Sequence, residues 1–168
     1  MDEYNNEIME DLYVRYDKLF ERNCQLASFM PEGWQPLIKR FCEYIVEKQR
    51  PLLIRNDDSR LWSRVEEDLF EFQFEQLKEK FGTLRIYFRT SDNTLNQKTL
   101  EVFDKDVIED YIEEARAEIT GFHDALCYIA NQTCELTGDK GNLHTQGFWL
   151  KTLSPAKAKD LGYELAGS

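Results

Sequence analysis

Seven apolar residues, Ile108, Ile112, Ala115, Ile119, Phe122, Leu126 and Ile129, step by four and three without a break through the segment 104–133. That period is the helical one, so the segment predicts a single long helix with one continuous apolar face. Asp106, Glu109, Asp110, Glu113, Glu114 and Glu118 crowd its N-terminal half. Negative charge suits the positive end of a helix dipole, and a run of this kind commonly forms a solvated face. The apolar face needs a layer to cover it, and the rest of the chain has to supply that layer.

Upstream, Ile8, Leu12, Tyr16, Leu19 and Phe20 recur at helical spacing and predict a first helix over 7–29. Pro31 and Gly33 punctuate. Trp34 and Pro36 then open a second helix to about Gln49, with Leu37, Ile38, Phe41, Cys42 and Ile45 as its stripe and Pro51 as its stop. Leu52–Ile54 reads as a short strand, with RNDDSR as a loop. Phe70, Phe72 and Phe74 alternate, as do Leu84, Ile86 and Phe88 across the turn Phe81-Gly82-Thr83. Period-two alternation on both sides of a glycine turn predicts an antiparallel hairpin with one buried face. A helix through Glu75–Lys80 competes with it, because QLKEK favours helix.

Residues 91–99 read as a polar loop. Beyond Cys134 the glycine-rich CELTGDKG reads as a knuckle leading to a strand near Phe148–Leu153. Ser154-Pro155 is an N-cap and first-turn pair for a short last helix ending at Gly162. The expected class is therefore α+β in a single domain over 1–168. Its parts are a helical stretch (1–50), a β-hairpin stretch (51–103), the long helix (104–133) and the knuckle with its short helix (134–168).

The 168 residues carry 32 carboxylates against 21 lysines and arginines, a formal net charge of −11. A field of that sign repels phosphate backbones and disfavours direct nucleic-acid binding. The same field attracts basic surfaces. The N-terminus MDEYNNEIMED has no basic start followed by an apolar stretch, and no apolar run is long enough to span a membrane. Cys24, Cys42, Cys127 and Cys134 form no CxxC pair and fit reduced, mostly buried thiols in a cytoplasm.

Candidate chemistry is sparse. His123 and His144 are the two histidines, and with no GxSxG-type turn beside them they assemble no nucleophile, base and orienting group. The chain thus reads as non-enzymatic. Neither GxxxxGK[ST] nor GxGxxG occurs, so no phosphate-cradling loop and no cofactor is expected. A metal pair on the acidic helix needs Glu-x-x-His partners that the sequence lacks. Lys78, Lys80, Arg85 and Arg89, with Tyr87 among them, reverse the local charge on the predicted hairpin. They read either as the wet face of a strand or as an anion-binding patch.

Three segments, GWQPLIKRFCEYI (33–45), FEQLKEKFGTLRIYF (74–88) and the tail running through TCELTGDKG into FWLKTL (133–153), together resemble a family of small, mostly uncharacterised proteins of bacteriophages and prophages. In that family a KEKFGxLR hairpin precedes a helix and a zinc-ribbon-like tail, and the resemblance spans roughly 33–160. The family's tail usually carries Cys-Glu-x-Cys-Gly and a later Cys-x-x-Cys, four thiolates for tetrahedral zinc. Here Cys134 stands at the first position, Thr137 at the second, and Ser154 and Lys157 at the later pair. The resemblance thus implies a knuckle without its metal, organised instead by packing of Leu143, Phe148, Trp149 and Leu153. Cys134, His144 and a carboxylate are what remains of a ligand set; one thiol is too few for structural zinc, and no metal is expected.

The resemblance further implies action in the cytoplasm of a bacterial host. The expected function is an accessory protein that inhibits a host protein, such as a component of anti-phage defence, through the acidic face Asp106–Glu118. The alternative is a protein that sequesters a nucleotide signal on the hairpin patch, with Tyr87 or Trp149 stacking on the base. The unbroken stripe of the long helix is also compatible with a homodimer.

Overall fold

The long apolar stripe becomes helix α4 (Lys105–Ala130), capped by Asp104, whose carboxylate accepts from the backbone N–H of Asp106 at 2.9 Å. The computed structural model describes residues 7–26 and 30–167, without the side chains of 21–26, 58 and 59. Preceding α4 are α1 (Glu7–Arg15), β1 (Phe20–Leu26), α2 (Gln35–Gln49), β2 (Leu52–Arg55), β3 (Asp58–Arg64), β4 (Phe70–Lys80), β5 (Thr83–Asp92) and α3 (Gln97–Val102). Following it are β6 (Asn142–Gln146), β7 (Trp149–Leu153), α5 (Pro155–Leu161) and β8 (Glu164–Leu165). The fold is α+β, as expected.

Strands β1, β4 and β5 form one sheet with β4 central, β2 and β3 form a separate hairpin, and β7, β6 and β8 form a third sheet. The phenylalanine alternation of the sequence lies on β4, where Phe70, Phe72 and Phe74 all face the core. Against them α2 sets Ile38, Phe41, Cys42 and Ile45, and α4 sets Ile108, Ala115 and Ile119, all buried. Helix α2 also ties its C-terminus to the sheet, because the buried Gln49 amide donates to the carbonyl of Phe70 at 2.9 Å.

Three expectations need correction. The helix expected over 7–29 ends at Arg15, and β1 follows, running parallel to β4 with Phe20 opposite Phe74. The apolar stripe had run out at Phe20, whose ring instead lies 5.1 Å from Phe74 and 4.7 Å from Tyr13. An available strand edge overrides the weak propensity of the residues that follow. Residues 27–29 and the Cys24 thiol lie outside the described residues. The loop expected over 55–60 is instead the turn and opening of the β2–β3 hairpin. Within the loop expected over 91–99, α3 begins at Gln97, capped by the Asn96 side chain, which accepts from Thr99 N–H at 2.9 Å.

A β-bulge at Glu75 interrupts the β4–β5 register. Before it the even-numbered residues of β4 point inward; after it Leu77 does, opposite the buried Ile86. The bulge therefore rotates Gln76, Lys78 and Lys80 onto the outer face. The turn beyond places Phe81 and Gly82 both at positive φ (57° and 71°), the backbone of a type I′ hairpin.

The C-terminal unit docks through backbone. Gly33 N–H donates to the Glu135 carbonyl at 2.8 Å, and the Trp34 indole donates to the Thr133 carbonyl at 2.9 Å. A Cβ at Gly33 would sit 2.1 Å from the carbonyl oxygen of Cys134. Gly33→Ala should therefore destabilise the protein by about 2–3 kcal/mol. Gly121→Ala, in α4 with nothing within 4 Å of the added carbon, should stabilise it by about 0.5–1 kcal/mol; paired urea titrations check both signs.

Burial pushes the Cys42 thiol up to about 12. The unfolded chain ionises this thiol near its ordinary value of 9.0, so the protonated thiol favours the fold fully only below that value. The contribution is lost as pH rises toward 12, at about 1.4 kcal/mol per pH unit. Alkaline urea titrations should show a steeper fall over that window in the native protein than in Cys42→Ala.

Candidate interaction surface

On α4 the buried residues Ile108, Ala115, Ile119, Leu126 and Ala130 mark the core side. All six acidic residues singled out in the sequence are exposed on the outer half of the helix. Two have cations: Glu109 pairs with Lys105 at 3.3 Å, and Glu118 pairs with Lys48 of α2. Among the described residues Asp106, Asp110, Glu113 and Glu114 have no cation partner. Asp106, Asp110 and Glu114 succeed one another at i, i+4 spacing, which places like charges as direct neighbours and costs helix stability.

Beside this face, between α4, α3 and the 93–96 loop, lies an open groove of about 620 Å³. Its floor is apolar, made by Leu69, Leu95, Leu100 and Ile112, and Glu109 and Glu113 stand on its rim with Lys105, Asp92 and Arg116. Arg116 donates to Asp92 at 2.7 Å and its guanidinium lies 5.8 Å from the Phe70 ring centroid. Its Nε–H is buried and meets no acceptor among the described residues. The groove has no signature in the sequence: it joins side chains from the approach to β4, the end of β5, the 93–96 loop, α3 and α4, and only the two glutamates belong to the acidic run.

The hairpin patch also comes together. Lys78 and Arg85 are register partners, Tyr87 and Arg89 follow on the same outer face, and Lys80 stands at the turn. The Lys78 ammonium lies 5.2 Å from the Tyr87 ring centroid and donates to Gln76 at 2.6 Å. Arg89 donates to Gln73 and lies 4.0 Å from Glu75. Part of the patch's charge is thus already met by its own strand.

A further constellation forms around His123. The His123 ring nitrogens face the Asp124 carboxylate at 3.0 Å and the Ile86 carbonyl at 3.2 Å, with the Cys127 sulfur 3.6 Å from Nε2. Cysteine, histidine and aspartate in this order suggest a nucleophile with its base, and the i, i+4 spacing of His123 and Cys127 is the signal that would have found it. The geometry serves another end: Nε2 caps a carbonyl of edge strand β5. Burial, followed by the Asp124 charge, pushes the Cys127 thiol up and away from thiolate.

At the knuckle, burial pushes the Cys134 thiol up, but the Thr137 hydroxyl and the N–H groups of Ser154, Leu136 and Thr137 outweigh it and hold the thiol below its ordinary value. Ser154 is the N-cap of α5 and Lys157 supplies the N–H that it accepts at 3.4 Å. His144 is buried, its Nδ1 2.7 Å from the Asn142 carbonyl. Among the described residues no three histidines, cysteines or carboxylates cluster as metal ligands.

The packing expected to organise this knuckle is different in part. Leu153 is fully buried with Cys134 and Ala158, but Phe148 is 101% exposed, Trp149 74% and Leu143 36%. Phe148 follows Gly147 (φ 62°) in the two-residue β6–β7 turn, where side chains point to solvent. Polar ties do the organising instead. Glu135, buried beneath β7, pairs with Lys151, and the Thr152 hydroxyl donates to the Gly82 carbonyl at 2.7 Å.

Comparison with protein-family models, curated proteins and solved structures gives no match. Among the described residues no helix is long and apolar enough to cross a membrane.

Relieving the repulsion on α4 should show in the isolated protein. Asp110→Asn is expected to raise the melting temperature at low ionic strength, with the gain vanishing at 1 M salt as the charges are screened. Scanning calorimetry at the two salt concentrations checks it.

Proposed function

We propose that this chain is a non-catalytic binding protein that offers the outer face of α4 to a basic surface on a protein partner. The observation carrying this reading is the set of four carboxylates, Asp106, Asp110, Glu113 and Glu114, held on one helix without cation partners among the described residues. A protein that needed this helix only for its core would gain by interspersing lysines. The net charge of −11 adds long-range steering toward a basic partner. The resemblance to phage proteins extends the reading: the partner is a bacterial host protein, such as a defence component, and the meeting place is the host cytoplasm.

A second reading, capture of an anionic small ligand, draws on Lys78, Arg85 and Tyr87 sharing the outer face of the hairpin. Nucleotide-dependent thermal stabilisation is its signature.

The test is a pull-down from bacterial lysate with the native chain and with a variant carrying Glu109→Lys, Asp110→Lys, Glu113→Lys and Glu114→Lys. A stoichiometric, salt-sensitive partner that the variant loses supports the α4 reading. Equal capture by the two proteins rejects it.

A further inference from the structure

The groove beside α4 adds shape to a face that otherwise offers only charge. Its volume of about 620 Å³ lies within the range of clefts that seat ligands, about 300–1,000 Å³. Apolar floor and a rim of three carboxylates against two cations together suit a cation on an aliphatic stem. Arginine and lysine side chains bury their methylenes on apolar surface while keeping the charged head at its edge.

Resting on the α4 reading above, we infer that this groove is the seat of an arginine side chain from the basic partner. Its stem lies along Leu95, Leu100 and Ile112, and its guanidinium meets Glu113 at the rim. Charge on the rim decides the occupant. Arg116 is held by Asp92 at 2.7 Å, and its Nε is shut off from solvent. Lys105 is engaged with Glu109 at 3.3 Å in a pair whose side chains are 68% and 59% exposed. Glu113 is the groove carboxylate without a cation among the described residues, and the unpartnered Asp106, Asp110 and Glu114 continue its negative field along the helix. An anion entering the groove would meet that field with both cations already occupied.

The inference is tested with two fluorescein-labelled probes of equal charge. One is hexa-arginine; the other carries its guanidinium groups on one-methylene stems. Fluorescence anisotropy at low salt should show the native chain binding hexa-arginine roughly tenfold more tightly, the effect of burying two further methylenes. Leu100→Trp fills the groove without changing charge and should erase that preference. Leu100→Ser, which removes floor without adding bulk, should reduce it, and thermal melts establish that both variants fold. Equal affinity of the two probes for the native chain, with both lost in the four-lysine variant, overturns the groove and leaves the α4 reading standing. A preference that survives both Leu100 variants also overturns the groove. Binding of neither probe overturns both.

Discussion

Phe41 of α2 holds the layers of the protein together. Its ring centroid lies 6.0 Å from Phe72, 5.8 Å from Phe74, 6.1 Å from Phe88 and 5.7 Å from Phe122, so one side chain touches β4, β5 and α4 at once. Aromatic contacts of this kind contribute about 0.5–1.5 kcal/mol each beyond the area they bury. The edge-to-face contacts with Phe72, Phe74 and Phe88 also fix the separation between α2 and the sheet, while Phe122 of α4 stacks on the Phe41 ring. Because α4 is held along its apolar stripe, its opposite half must face water, and the six carboxylates go there together. The acidic face is in this sense a consequence of the core.

The C-terminal unit shows how a glycine-rich knuckle can be organised by polar contacts. Its apolar centre is small: Cys134, Leu153 and Ala158, with Leu136 and Tyr163 partly buried around them. The Gly33 and Trp34 contacts fasten it to the start of α2, while Thr152 fastens it to the tip of the β4–β5 hairpin. Residues 134–168 carry four lysines against four carboxylates, so the net charge of the chain resides entirely in the part that precedes them. Acidic helix and neutral knuckle are therefore electrostatically distinct surfaces of one protein.

The physical tension on α4 informs the functional reading. Like charges at i, i+4 spacing weaken a helix, and this one tolerates them because packing along the stripe supplies most of its stability. A partner bearing arginines would relieve the repulsion and gain the apolar floor beside it.

The long helix, the α2 stripe, the phenylalanine hairpin and the Ser154-Pro155 start of α5 were all legible in the sequence. Each is specified by local periodicity or by a cap, and those signals act within a few residues. The exposure of the acidic run on α4 followed from the same helical period. Strand β1 was illegible, because its partner β4 lies far along the chain and the pairing overrides local preference. So was the direction of Lys78 and Lys80, which the Glu75 bulge decides by shifting the pleat by one residue. The His123 cap on β5 and the groove beneath Glu113 depend on elements meeting in space. The sequence by itself determined α2, the phenylalanine hairpin, the long helix α4 and which half of α4 faces water, because periodicity is local. Only the tertiary structure decided which side chains share a surface, because contacts between distant segments have no local signature.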